Sequence, residues 1–251
     1  MRLGDNTLVR YDYKLDNHPL EYTDTEKDLG VIIDNKLTFD DHIQSKINTA
    51  NRIMGLIRRS FTFLDSDSFK KLFKAMVRPH IEFSNTVWHP RTKKLKDQIE
   101  NIQRRGSKCI NNLAHLSYEE RLKHLNLPCL CYRKIRGDLI EAYKMTHNAY
   151  DDALPMPLSM APAHYRTTRG KFKMVKTHNK HRVTRQFFKN RIINFWNKLP
   201  DDVKDSPTIN TFKNRLDSYL DKYNIRYVYN NCIDFERSIS NPTHPGSTIY
   251  G

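Results

Sequence analysis

The chain has 251 residues, 43 Lys+Arg against 28 Asp+Glu, and a formal net charge of +15. Hydrophobic residues make up 38% and aromatics 11%, enough for a core in one or two domains. The longest apolar run is four residues, Cys129 to Tyr132, there are four cysteines in all, and Met1–Asp5 opens no apolar segment, so a membrane span, a disulfide scaffold and a signal peptide are not expected.

With 8 Gly and 11 Pro, tight turns are few and long helices are expected. Leu29-Gly30-Val31-Ile32-Ile33 is short, β-branched and followed by Asp34-Asn35. It reads as a strand and then a turn. Ile43, Ile47, Ala50, Met54 and Ile57 recur every three or four residues, the apolar stripe of an amphipathic helix with Asp40 or Asp41 as its cap. A second helix starts at Asp65-Ser66-Asp67 and carries Phe69, Leu72, Phe73 and Met76. Pro79 should kink or end it. A third covers about 92–113, with Leu95, Ile99, Ile102, Cys109, Ile110 and Leu113 inward. Ser117-Tyr118-Glu119-Glu120 is a capping box for a short helix, and a longer helix spans about 130–149. Three prolines in 153–163 mark a linker. A hairpin is open for 168–184, an aromatic-rich helix is expected over 185–199, and Thr208 caps a last helix through Phe212, Leu216 and Leu220. The tail from about 224 is polar and is expected to be disordered.

Charge is uneven along the chain. Residues 1–41 carry 5 basic and 10 acidic side chains, 42–78 carry 8 and 2, 91–108 carry 7 and 2, and 166–215 carry 14 and 3. The two smaller basic blocks fit a solvated helix face without function and a polyanion contact equally well. The strongest block has few acids near it, and crowded like charges favour an acidic partner such as a nucleic acid. Aromatics interleave with it, yet the helical spacing of Phe187, Phe188, Phe195 and Trp196 favours core packing over base stacking.

Catalytic constellations are missing from the residues as read. The pairs Asp40-Asp41, Asp151-Asp152 and Asp201-Asp202 sit beside helix starts or a Pro-rich loop, not on a hairpin between apolar strands. Cys129-x-Cys131 with His124 has the wrong spacing for a zinc knuckle, and Cys109 and Cys232 are isolated in sequence. There is no Gly-rich phosphate loop.

Several strings, taken in order, resemble one family. They are Glu26–Asp34, Leu72–Phe83, Trp88-His89-Pro90, Ile99–Arg105, Leu116–Leu122, Arg136–Lys144, Thr168-Arg169-Gly170, Phe188–Arg191, Asn194–Pro200 and Phe212–Asp217. Together they are similar to the C-terminal part of the reverse transcriptase of non-LTR (LINE-type) retrotransposons, over roughly residues 20–222. The resemblance implies an end-of-palm β remnant over 1–36, with Leu29, Gly30 and Val31 as the motif supporting the primer terminus. It implies a helical thumb-like region over 37–115, a helical continuation over 116–152, a linker over 153–165, a basic C-terminal region over 166–222 and a disordered tail over 223–251. That family's catalytic aspartates precede the Leu-Gly motif, and here the chain begins only shortly before it. The expectation is therefore a fragment without polymerase activity of its own, needing Mg²⁺ only alongside the missing palm.

The fold class expected is mainly α: a thumb-like helical bundle with a short N-terminal β piece and a basic C-terminal region that is α or α+β. The function expected is binding of RNA, DNA or an RNA–DNA hybrid inside the cell, in nucleus or cytoplasm, with no membrane partner. The alternatives are a non-functional or co-opted helical remnant, or a subunit that needs a separate palm chain. The residues expected to contact nucleic acid are Arg58, Arg59, Arg104, Arg105, Lys108, Arg169, Lys171, Lys173, Arg182, Arg185, Lys189 and Arg191. No catalytic or metal-binding residue is assigned.

Overall fold

Leu29 and Gly30 both have positive φ, 45° and 84°. That backbone forms a two-residue hairpin turn whose twist matches its flanking strands, so Leu29-Gly30 is a turn and not the start of a strand. The strands are β3 (Thr25–Asp28) and β4 (Val31–Asp34), antiparallel with Asp28 opposite Val31. A smaller ribbon, β1 (Lys14–Leu15) with β2 (His18–Pro19), precedes them. The structure, a computed structural model, describes residues 1, 3, 11–147, 150, 158, 160, 172–175, 184 and 187–240.

After the hairpin the described chain is mostly helical, as the sparse Gly and Pro suggest. α1 runs Asp40–Ser60 and buries Ile43, Ile47, Ala50, Met54 and Ile57, the stripe read from the sequence. Its start is held differently from the expectation. Phe39 occupies the cap position in a left-handed conformation with no side-chain cap. Asp34 instead reaches forward, its carboxylate accepting from the amides of Lys36, Thr38 and Phe39 at 3.1, 3.0 and 2.6 Å. Asp40 and Asp41 lie in the first turn, where negative charge suits the helix dipole.

α2 (Ser66–Leu72) is capped by Asp65, which accepts from Asp67 N and Ser68 N. The helix does not stop before Pro79. A π-helical turn, Phe73–Val77, carries it into α3 (Arg78–Glu82) with Pro79 in the first turn of α3. There the missing proline N–H is harmless, and the wide turn makes room for the ring. Met76, expected inward, is 40% exposed.

α4 (Lys93–Lys108) starts from Thr92 and is followed by a 3₁₀ turn, Asn111–Leu113. α5 (Tyr118–Leu125) has both halves of the Ser117/Glu120 capping box. α6 (Leu130–Thr146) is the central spine, packing on α4 and on α7 (Phe188–Lys198), α9 (Ile209–Asp221) and α10 (Tyr229–Ser240). α8 (Asp201–Lys204) is a single turn, and Thr208 caps α9 as expected. Residues 229–240, expected to be disordered, form α10 with Cys232, Ile233, Phe235 and Ile239 buried. Of the expected 168–184 hairpin, only 172–175 and 184 are described, and Met174 pairs with Met160 through one antiparallel bridge. One continuous apolar cluster runs from Val31 through Ile43, Trp88, Ile102 and Leu139 to Trp196 and Ile239.

Three two-point Arg–carboxylate pairs hold helices to α6. Arg133 meets Glu82 of α3, Arg136 meets Asp217 of α9, and Asp138 meets Arg191 of α7. Such planar, doubly bonded pairs are directional as well as strong, so they set the helix register and not only its stability.

Candidate nucleic-acid interface

The hairpin is anchored at the N-terminal end of α1. Val31 is buried, and the Ile32 amide donates to His42 Nδ1 at 3.1 Å. His42 is buried against Trp88, its ring centroid 5.5 Å from that of the indole. Burial, with Lys46 nearby, pushes its pKa down to about 4, so the ring is neutral and can accept at Nδ1. The turn itself stays outside. Leu29 is 88% exposed, and a Cβ on Gly30 would lie 3.5 Å from Phe83 Cε1. An exposed leucine held at positive φ stores roughly 1 kcal/mol or more of backbone strain, which packing does not repay here.

From that end, a polar stripe runs along α1. Asp41, Gln44, Ser45, Asn48, Thr49 and Arg52 line a shallow surface cleft. Their spacing of three, one, three, one and three is that of a single helix face. Gln44 Nε2 donates to Asn48 Oδ1 at 3.0 Å, and Thr49 Oγ1 donates to the Ser45 carbonyl at 3.0 Å. Neutral amides and hydroxyls of this kind bond to phosphate and sugar oxygens without reading sequence.

Beyond Arg52, three helices meet at Gly106. A Cβ on Gly106 of α4 would lie 3.0 Å from Met54 Cε of α1 and 3.2 Å from Phe69 Cε2 of α2. A side chain here would press on Met54 and Phe69, so glycine suits this close approach. Arg58 and Arg59 stand in the last turn of α1, and Arg105 and Lys108 in the last turn of α4. All four are exposed, and no ion pair among the described residues engages them. Phe61 and Phe63, in the connection to α2, are 41% and 60% exposed and offer faces for stacking. Their position near helix C-termini also gives these cations a favourable dipole interaction, which needs no ligand.

The other expected contacts have different places. Arg104 is half-buried: it donates to Asn101 Oδ1 at 2.8 Å and lies over the rings of Tyr118 and Tyr229 at 4.9 and 5.8 Å. Its charge helps to hold α10. Arg191 is 8% exposed at its side chain, pairs with Asp138 at 3.0 Å, and donates to the Thr86 carbonyl at 2.9 Å. It is a core residue and not a surface contact. Lys189 is half-buried and Lys173 is exposed. Arg169, Lys171, Arg182 and Arg185 lie outside the described residues, as do Asp151 and Asp152. The aromatics Phe188, Phe195 and Trp196 are buried, as their spacing predicts.

Sequence reasoning missed the neutral stripe and the aromatics at 61 and 63. The stripe was visible as the complement of the α1 apolar periodicity. The convergence at Gly106 was not, because it joins helices from separate stretches of chain. Cys232, isolated in sequence, lies with its sulfur 2.7 Å from that of Cys131. Among the described residues no three His, Cys, Asp or Glu side chains gather to hold a metal ion, and no helix is long and apolar enough to cross a membrane.

No family model matches the chain, and no solved structure matches it. It is similar to an uncharacterised protein of Caenorhabditis elegans, B0403.1, with 27% identity over 111 residues, covering 43% of this chain and 56% of that one. The chain thus spans little more than half the length of this relative.

Proposed function

We propose that this chain binds nucleic acid through the exposed side of α1 and the C-terminal end of α4, as the thumb and C-terminal region of a non-LTR retrotransposon reverse transcriptase. The observation that supports this most is the run of polar side chains along the exposed side of α1. The strained hairpin tip stands at one end of α1, hydrogen-bonding side chains follow along it, and Arg58 and Arg59 close the other end, with Arg105 and Lys108 exposed in the last turn of α4, whose Gly106 packs on Met54 of α1. α1 has 21 residues, so at 1.5 Å per residue it is about 30 Å long. That length matches roughly nine phosphates of one strand. The neutral groups follow the backbone, the cations neutralise it, and Phe61 and Phe63 offer stacking to bases beyond a duplex end.

On this reading the chain supplies grip and not chemistry. Phosphoryl transfer, with its Mg²⁺, belongs to a separate catalytic unit. The strings that carry the family resemblance support a scaffold role in their own way. Glu82, Glu100, Asp138, Arg191 and Asp217 all fall in them, and all serve internal bonds.

Fluorescence anisotropy with an RNA–DNA hybrid, duplex DNA and single strands over a salt series tests the proposal. Arg52, Arg58, Arg59, Arg105 and Lys108 together should give a log–log salt slope of about −4 to −5. Converting Arg58, Arg59 and Arg105 to alanine together should flatten it to about −2. Absence of binding at low salt, or an unchanged slope in that variant, overturns the proposal.

A further inference from the structure

Two cysteines that are 101 positions apart are held face to face by independent bonds on both sides. Cys131 is the second residue of α6 and half-buried, and Cys232 sits in the first turn of α10 and is buried. Their sulfurs are 2.7 Å apart, and both are free thiols. On the α6 side, the Glu100 carboxylate accepts from the Leu130 and Cys131 amides at 3.0 and 3.3 Å. On the α10 side, Glu236 takes Lys96 at 2.7 Å and His89 at 3.3 Å, and the Tyr229 hydroxyl donates to Asp97 at 2.8 Å. The Cys129 amide also donates to the Arg226 carbonyl at 2.9 Å, tying the segment before α10 to the start of α6. A disulfide needs the sulfurs at about 2.0 Å, a closure of about 0.7 Å between elements already fixed in place.

We propose that Cys131 and Cys232 are a peroxide-responsive dithiol that closes reversibly to a disulfide and covalently locks α10 onto α6. The oxidant is a peroxide. The Cys131 thiolate, on the more accessible of the two residues, attacks one peroxide oxygen. The S–O bond forms, the O–O bond breaks, and hydroxide leaves to become water. Cys232 then attacks the sulfenic sulfur of Cys131. The S–S bond forms, and the departing hydroxide takes the Cys232 proton as a second water. Two thiols and one hydrogen peroxide thus give one disulfide and two waters. Cys129 also borders Cys232, but its sulfur accepts from the Tyr132 amide at 3.4 Å and donates to the Ile225 carbonyl at 3.5 Å, whereas Cys131 meets Cys232 sulfur to sulfur at 2.7 Å.

Against the pull of the Cys232 contact, burial pushes the Cys131 thiol up to about 12. Thiolate is therefore scarce at neutral pH, and the rate should rise about tenfold per pH unit between pH 7 and 9. This makes the pair slow to respond at low peroxide and selective for sustained exposure.

The full chain, treated with excess hydrogen peroxide and then denatured, is assayed for thiols. Four free thiols should fall to two, the mass should drop by about 2 Da, and dithiothreitol should restore both. Chymotrypsin cuts after Leu130 and so separates Cys129 from Cys131, which lets mass spectrometry identify the linked pair in the unaltered protein. The link should join Cys131 to Cys232. Cys129→Ser and Cys109→Ser should still form it, and Cys131→Ser should not. Retention of four thiols, a link through Cys129, or over-oxidation to sulfinic acid in place of the link overturns the proposal.

Discussion

At the scale of single residues, charge in the sequence does not say where charge is used. Lys189 and Arg191 are two positions apart in the same basic stretch, and both read as contacts for a polyanion. Arg191 is instead buried with Asp138, 53 residues earlier, and donates to the carbonyls of Asn85 and Thr86. Nothing local distinguishes it, because the partners lie on another helix and a distant loop. The pair has consequences that separate a core role from a binding role. Removing the arginine leaves Asp138, only 7% exposed at its side chain, without its doubly bonded partner and with only the more distant charge of Lys134 to offset it. Arg191→Ala should therefore cost about 3–5 kcal/mol in urea unfolding and leave the salt slope of the proposed nucleic-acid binding unchanged where the protein remains folded. A variant of normal stability with a shallower salt slope would return Arg191 to the interface. Leu29 shows the opposite case. Leu-Gly-Val-Ile-Ile is apolar and β-branched, so it reads as a strand with its turn at Asp34-Asn35, whereas the turn falls on Leu29-Gly30. The positive φ at Leu29 became evident only from the backbone.

At the scale of elements, what was legible was what is local. Asp65, Ser117 with Glu120, and Thr208 cap helices that begin within three residues of them, and all were read from sequence. The start of α1 was misread because its carboxylate comes from Asp34, six residues before the first helical residue. One oxygen of Asp34 takes the Lys36 and Thr38 amides, and the other takes the Phe39 amide and the Thr38 hydroxyl. This side chain therefore links β4 to α1. Burial raises its pKa, and the four hydrogen bonds more than offset that, so the net shift is downward. A depressed carboxylate contributes stability that is fully present above its unfolded value and lost as pH falls through the folded one. Asp34→Ala should cost about 2 kcal/mol at pH 7, and the difference from the parent should shrink below pH 3.8. A difference in urea midpoint that stays constant down to pH 2 would show that Asp34 acts through packing and not through its charge. α10 was missed for another reason. Its Cys232, Ile233, Phe235 and Ile239 follow a helical spacing, but the Asn, Ser and Pro around them dominated the composition. The apolar positions are covered by α6 and α7, which lie far away in sequence.

At the scale of the whole molecule, ionisable groups inside the core make stability depend on pH in a way that the net charge of +15 does not reveal. Burial pushes both His42 and His89 down to about 4 from 6.5. His89 faces Glu236, with Lys134 and Arg191 adding like charge, and its Nδ1 has no partner, as is also true of His42 Nε2. Above pH 6.5 both histidines are neutral in either state, so they have no effect. Between 6.5 and 4 the unfolded chain takes up protons that the native state refuses, and stability falls as pH drops. Glu100 works in the other direction. Burial raises it to about 7 against the pull of the Tyr118 hydroxyl and the Leu130 and Cys131 amides. The native state therefore keeps a proton that the unfolded chain releases between 4.5 and 7, and this contribution grows as pH falls through that window. Two histidines against one glutamate leave a net uptake of about one proton on unfolding near pH 5.5. Glu236, held near 2 despite its burial by His89 and Lys96, adds a second loss only below 4.5. The urea midpoint should thus decline modestly from pH 6.5 to 4 and more steeply below. Glu100→Gln removes the opposing group, so its midpoint should fall about twice as steeply between 6.5 and 4, whatever its absolute stability. His89→Gln should make the same stretch nearly flat. Equal slopes in the parent and both variants would mean that these three side chains do not govern the acid response of the core.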